Sequence, residues 1–293
     1  MKKLFPLWGI LLCVILCAGA YAIDSPIQFR ASDTETEAVV GIQQVADSQY
    51  LFLPSSADLN ALTLEFQGEA MIVGETGDVS VTSGQPFSLL ELFGEEEREV
   101  YPLHVTLVTG GDNTVLDLNV MHSGNIRSMY ITTADPEKDR SWVEKKKSNK
   151  AKGNGMVLLR PDGSVVYDGT LKQVKGRGNS TWYNPKKPYQ IKLAEETDLL
   201  ETGDPKEAES TWVLLANYLD PSLLHNTVTF HLAEEFGIAF APHSEPVDLY
   251  YDGVYLGSYE LSEKTEVSDG RVDIRDLEEA IEELNPDVED LPT

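Results

Sequence analysis

The sequence predicts an α+β chain in which an all-β unit, read as a β-sandwich, precedes a mixed unit built around hairpins and one helix. Three observations carry this. Short β-prone runs separated by turn residues fill Val39–Val45, Gln49–Leu53, Ala61–Phe66, Glu69–Val73, Val79–Thr82, Val100–Thr109 and Thr114–Val120. Asp252-Gly253 stands between two apolar runs, Val247–Tyr251 and Val254–Leu261, which is a hairpin signal. Between these lies VKGRGNSTWYNPKKPYQIKL, residues 174–193, where glycines, a turn and a lysine-bearing strand occur within one short stretch.

The chain begins with Met1-Lys2-Lys3, an apolar run from Leu4 to Gly19 and Ala20-Tyr21-Ala22, the three parts of a secretory signal. Cleavage is expected after Ala22, leaving a secreted or cell-surface protein with no membrane attachment; the alternative is an uncleaved anchor. Cys13 and Cys17, the two cysteines, lie inside that segment, so a mature chain offers no disulfide, thiolate metal site or cysteine nucleophile. The 293 residues carry 23 basic and 49 acidic side chains, a net charge of −26, which argues against nucleic acid as a partner.

Residues 23–38 read as a flexible lead-in and 39–133 as the β-sandwich, immunoglobulin-like in its succession of short strands. It has no catalytic constellation: His104 and His122 stand alone. Residues 134–155, with Lys145, Lys146, Lys147, Lys150 and Lys152, read as a lysine-rich linker or loop. The second unit, 156–293, opens with Met156–Leu159, a Pro161-Asp162-Gly163 turn and Val165–Tyr167.

In the central stretch Gly176 and Gly178 flank Arg177, which lets the backbone take positive φ and approach a ligand. Asn179, Ser180 and Thr181 add short hydrogen-bonding side chains, a combination suited to an anion. Tyr189, Ile191 and Leu193 alternate with Gln190 and Lys192, which puts Lys192 on the polar face of a half-buried strand; Lys186 and Lys187 lie nearby without that strand context. Farther on, Asp220 is an N-cap candidate, Pro221 fits the first helical position, and Leu224, Val228, Leu232 and Phe236 define an amphipathic helix expected to pack on a sheet. An acidic helix is expected over Asp276–Leu284.

KGRGNSTW, KKPYQIKL, WVLLANYLDPSLLHN, VDLYYDGVYLGSYELSEK and RVDIRDLE, in this order, resemble the CotH family of bacterial spore-coat and secreted proteins, which are similar to atypical protein kinases. The resemblance implies that 156–293 is the small lobe of a kinase-like fold, binding ATP with magnesium or another divalent cation. It implies that Gly176, Arg177, Gly178, Asn179, Ser180 and Thr181 cover the phosphates. Lys192 then pairs with them, Glu234 or Glu235 holds that lysine, and Glu263 lies at the hinge beside adenine. His225 stands where the family has an arginine.

The family's catalytic and metal-binding aspartates belong beyond the point corresponding to Asp290, so catalytic residues are expected beyond Thr293, the chain being a fragment or a natural truncation. The function implied is extracytoplasmic phosphorylation of serine or threonine in secreted or coat proteins. A non-catalytic cell-surface or coat assembly module is the alternative. No Ser-His-Asp order, zinc set or defined carboxylate pair favours a hydrolase.

N-terminal sequencing of protein recovered outside the producing cell is expected to begin at Ile23; a start at Met1 establishes the uncleaved anchor instead.

Overall fold

The computed structural model describes residues 21–22, 28–31, 38–40, 42–45, 47–95, 98, 100–109, 111–268, 270–275 and 277–284. Most of the expected signal segment and the tail after Leu284 lie outside the described residues, as does Asp276. The architecture is β-rich α+β, and no described helix is long and apolar enough to cross a membrane.

The first part contains β1 (Tyr21–Ala22), β2 (Gln28–Ala31), β3 (Ala38–Val40), β4 (Gln43–Val45), β5 (Ser48–Leu53), β6 (Leu62–Glu65), β7 (Glu69–Val73), β8 (Asp78–Val81) and β9 (Pro86–Phe87). They are followed by the short helix α1 (Leu89–Leu92) and by β10 (Val100–Thr109) and β11 (Asp112–His122). A seven-stranded sheet runs β1-β4-β5-β11-β10-β7-β8, and a four-stranded sheet runs β3-β2-β6-β9. The β10–β11 hairpin pairs Thr109 with Asp112, and Gly111 takes φ +95° at the turn where a side chain would be strained. Leu51, Leu53, Ile72, Val105 and Leu118 of the larger sheet share one buried cluster with Leu62 and Leu64 of the smaller, so both sheets close on one core. The expected single strand Val39–Val45 divides: its halves, β3 and β4, join different sheets on either side of fully buried Ile42.

The second part contains β12 (Arg127–Thr132), α2 (Arg140–Lys145), β13 (Lys150–Ala151), β14 (Gly155–Leu159), β15 (Val165–Gly176), β16 (Tyr189–Thr197), β17 (Glu209–Leu215), α3 (His225–Glu235), β18 (Ser244–Tyr251), β19 (Val254–Glu263) and α4 (Leu277–Leu284). Its eight-stranded sheet runs β13-β15-β14-β12-β18-β19-β17-β16, with β15 also paired to β16. Seven of these strands therefore form a closed, barrel-like cycle, β15-β14-β12-β18-β19-β17-β16 and back to β15. Met129, Leu158, Val174, Tyr189, Ile191, Trp212, Leu214, Leu249 and Leu261 fill its core. At the β18–β19 turn Asp252 and Gly253 both take positive φ, +52° and +74°, as the Asp-Gly pair predicts.

Several sequence expectations are corrected here. Arg127–Thr132, expected to belong to the first unit, is a strand of the second sheet, antiparallel to β14 and parallel to β18. The lysine-rich segment is folded rather than a plain loop: Asp139 accepts from the Trp142 N–H to cap α2, Val143 is fully buried, and the Tyr189 hydroxyl donates to Glu144. The following helix begins later than Asp220. Asp220 binds the N–H and hydroxyl of Ser222 and the N–H of His225, and Leu223 takes φ +58°, so the chain turns before α3 starts.

The apolar stripe of α3 does not pack on the sheet. Leu224, Val228, Leu232 and Phe236 are 54%, 51%, 46% and 78% exposed, while the helix meets the ring through polar Asn226 and Thr227.

Ile191→Ala, which empties a fully buried position, is expected to cost about 2–5 kcal/mol in urea denaturation, whereas Val228→Ala on the exposed stripe changes stability by less than about 0.5 kcal/mol. Equal losses at the two positions contradict this assignment of core and surface.

Candidate functional site

β15 ends at Gly176, and the chain enters the polar loop at the rim of the ring. The two glycines serve different ends. Gly178 takes φ +82°, and a Cβ there would collide with the Thr181 hydroxyl. Gly176 does not use positive φ; a Cβ at that position would lie inside the Trp182 ring, so its hydrogen lets the indole pack on the backbone. Ser180–Tyr183 form one 3₁₀ turn. The Arg177 N–H donates to the Pro188 carbonyl at 3.1 Å, Lys187 Nζ to the Trp182 carbonyl at 2.9 Å, and Lys147 Nζ to the Gly178 carbonyl at 2.9 Å. Asn179, Ser180 and Thr181 remain at the surface of this braced loop.

Between the loop and residues 215–226 lies a cleft of about 280 Å³, whose polar lining includes Arg177, Thr181, Lys186, Asn217, Asp220 and Asn226. Lys186 reaches across it from the Asn184-Pro185 turn. Its ammonium donates to the Ser258 carbonyl and stands 4.4 Å from the centroid of the Tyr259 ring. Burial pushes its pKa down to about 8, with Asp248 acting in the opposite sense. Burial also lowers the pKa of Arg177. Neither cation has a carboxylate partner in an ion pair among the described residues, although the chain carries 49 acidic side chains. The cleft thus holds two partly desolvated positive groups facing mostly uncharged polar side chains, an arrangement that favours an incoming anion.

The opposite wall is fixed by Glu260. It is only 2% exposed and accepts from Asn217 Nδ2 at 2.9 Å, Thr227 Oγ1 at 3.0 Å and Ser244 Oγ at 2.7 Å. Asn226 Nδ2 donates in turn to Asn217 Oδ1 at 2.8 Å. One buried carboxylate therefore joins β19, the 217 loop, α3 and the start of β18, and its oxygens are satisfied. Asp220 has both oxygens engaged by Ser222 and His225. Burial would raise its carboxyl, but these hydrogen bonds prevail and hold it well below the usual carboxylate range.

The sequence-predicted residues are distributed unevenly. Arg177 and Thr181 line the cleft with Gly176, Gly178, Asn179 and Ser180 in the same loop. Lys192 does not join them: it is exposed on β16, between Gln173 and Thr211 on the neighbouring strands. Glu234 and Glu235 occupy the last turn of α3, whereas the cleft receives the first turn through His225 and Asn226. Glu263 is buried at the end of β19 and bonded by the His243 N–H, outside the cleft lining.

Strand alternation identified Lys192 but not Lys186, because Lys186 acts from a turn and its direction is set by the Tyr259 ring across the sheet. Asn217, Asp220 and Asn226 had a visible signal: they are the polar residues within WVLLANYLDPSLLHN.

The family model described as CotH kinase protein matches residues 174–281, from the C-terminal end of β15 into α4. The match contains the loop, Lys186, the 217 loop and Glu260. No curated protein matches the chain.

The folded value of Lys186 lies below the ordinary lysine value of about 10.4, so between about pH 8 and pH 10 the folded chain binds fewer protons here than the unfolded chain. The penalty for the buried ammonium is present in full below pH 8 and is relieved as pH rises, so this position makes stability increase across that window. Denaturation at pH 7, 8, 9 and 10 is expected to show this rise in the wild type and its loss in Lys186→Met. Identical pH dependences refute the burial of a titrating ammonium.

Proposed function

We propose that this protein is kinase-like and binds ATP in the cleft between the 176–183 loop and the 217–226 segment, a reading supported by the match of residues 174–281 to the CotH kinase family. The observation that carries the reading is the pair Arg177 and Lys186: two partly buried cations converge on one cleft without carboxylate partners among the described residues. Phosphate oxygens suit the Arg177 guanidinium, whose planar fork binds them in pairs, and the Lys186 N–H groups not used by the Ser258 carbonyl. Thr181 and Asn226 add polar groups around the same space, and Asn217, held by Glu260 and Asn226, fixes its wall. Phosphoryl transfer depends chiefly on positioning and charge neutralisation, which these residues provide at the nucleotide.

Magnesium or another divalent cation, when bound with the nucleotide, supplies additional neutralisation of phosphate charge. The carboxylate that lines the cleft, Asp220, is already engaged by Ser222 and His225, so the proposal places no metal on it. In this reading the closed ring is the small lobe and the two-sheet unit an immunoglobulin-like accessory module. The protein acts outside the cytoplasm, and the hydroxyls phosphorylated are serine and threonine of secreted or coat proteins. The signal-like N terminus supports the first point and the family resemblance the second.

The exposed stripe on α3 favours a second reading, a non-catalytic assembly module that uses Leu224, Val228, Leu232 and Phe236 against a partner.

Calorimetry of the full chain with Mg-ATP separates the two. Saturable binding is expected, weakened about 10- to 100-fold by Arg177→Ala or Lys186→Met, as loss of a charge-assisted hydrogen bond implies. Lys192→Ala is expected to bind as the wild type does. If Lys192→Ala alone abolishes binding, the strand lysine holds the phosphates; no heat at millimolar nucleotide favours the assembly module.

A further inference from the structure

A second group of chemically competent side chains lies at the other end of β19, outside the cleft lining. Glu207 ends a 3₁₀ turn at Pro205–Glu207, His243 immediately precedes β18, and Glu263 is the last residue of β19. Two backbone-anchored bonds fix the latter pair: the His243 N–H donates to Glu263 Oε2 at 2.8 Å, and the Glu263 N–H to the His243 carbonyl at 3.2 Å. His243 Nδ1 stands 3.6 Å from Glu263 Oε2 and 3.8 Å from Glu207 Oε2. One ligand atom from each residue falls within 4.8 Å of the others.

These separations are too long for hydrogen bonds. They are close to the edge of a tetrahedron around a divalent metal, about 3.4 Å when metal–ligand bonds are about 2.1 Å.

An independent observation points the same way. Glu207 Oε2, His243 Nδ1 and Glu263 Oε1 are buried atoms with no hydrogen-bond partner. Glu263 is more deeply enclosed, its side chain 1% exposed. Arg271 lies behind it, NH1 3.2 Å from Glu263 Oε1 and its guanidinium 5.0 Å from the Trp212 ring centroid. Glu263 Oε2, which accepts from the His243 N–H, faces His243 Nδ1 while Oε1 faces Arg271, so the carboxylate is oriented from its second oxygen as in metal sites. The His243 side chain is 40% exposed and offers an entry path.

We propose that Glu207, His243 and Glu263 form a binding site for a divalent transition metal of the zinc or manganese type. One imidazole and two carboxylates make the donor set, and solvent completes the coordination. The ion joins the 205–207 turn to the facing ends of β18 and β19, and Gly270, packed against the Lys206 carbonyl, brings the Arg271 segment onto the same clamp. Such a clamp stabilises the folded chain wherever the unfolded chain binds the ion less well.

The test uses the full chain, with Cys13 and Cys17 alkylated, freed of metal by a chelator and titrated with zinc chloride or manganese chloride. Binding is followed by calorimetry and by thermal melting. The expected result is one tight equivalent in the wild type with a rise of several degrees in melting temperature. In His243→Ala and in Glu207→Gln that equivalent is expected to weaken at least tenfold and the rise to disappear. No metal-dependent shift in the wild type, or an undiminished shift in either variant, overturns the proposal.

Discussion

The second part of the molecule depends on one strand serving two edges. β15 pairs through Val165–Thr170 with β14 and through Leu171–Gly176 with β16, and this double use turns an open sheet into a closed cycle. Closure removes two exposed edges and encloses an apolar interior in which Leu171, Val174, Tyr189, Ile191 and Trp212 are fully buried. Register shifts at Leu158/Leu159 and at Leu171/Gln173 allow the strand to change partners along its length. The polar loop leaves β15 at Gly176, so its position on the rim follows from where the ring closes. Without the β15–β16 pairing, Arg177 and Lys186 would have no common cleft.

The same closure makes the electrostatics of the cleft possible. Lys186 extends over Tyr259 because β19 lies across from the turn that carries it, and the carbonyl of Ser258 accepts its hydrogen bond. Glu260, on the same strand as Ser258 and Tyr259, directs its charge to Asn217, Thr227 and Ser244 and not to a cation. In a chain of net charge −26, these two positive groups thus form no ion pair with a carboxylate among the described residues. Neutral hydrogen bonds satisfy Glu260 and the tyrosine face stabilises Lys186, leaving charge available for a ligand. For an anion entering the cleft, the local field of these groups therefore matters more than the net charge.

Much of this was legible in residue order. The Asp252-Gly253 hairpin, the β10–β11 hairpin with its glycine turn, the Tyr189-Ile191-Leu193 alternation and most short strands of the first part follow from local chemistry, and the structure has them. The loop that carries Arg177 and Thr181 was legible as well, because glycines beside short polar residues mark a turn of close backbone approach. The stripe on α3 was legible as a pattern and misread as to its neighbour. A four-residue period shows that one helix face is apolar; it does not show what covers it, and here the polar face turns toward Glu260.

By itself the sequence determined the β-rich character, the turns and the glycine-bearing polar loop, since each rests on interactions between residues a few positions apart. The tertiary structure decided the rest. It set the parallel pairings of β5 with β11 and β12 with β18, placed Arg127–Thr132 in the second sheet and chose Lys186 in preference to Lys192 for the cleft. It also gathered Glu207, His243 and Glu263 from segments far apart in the chain. Each of these outcomes depends on which distant strand becomes a neighbour. Strand periodicity reports which face of a residue is buried and carries no record of the partner that buries it.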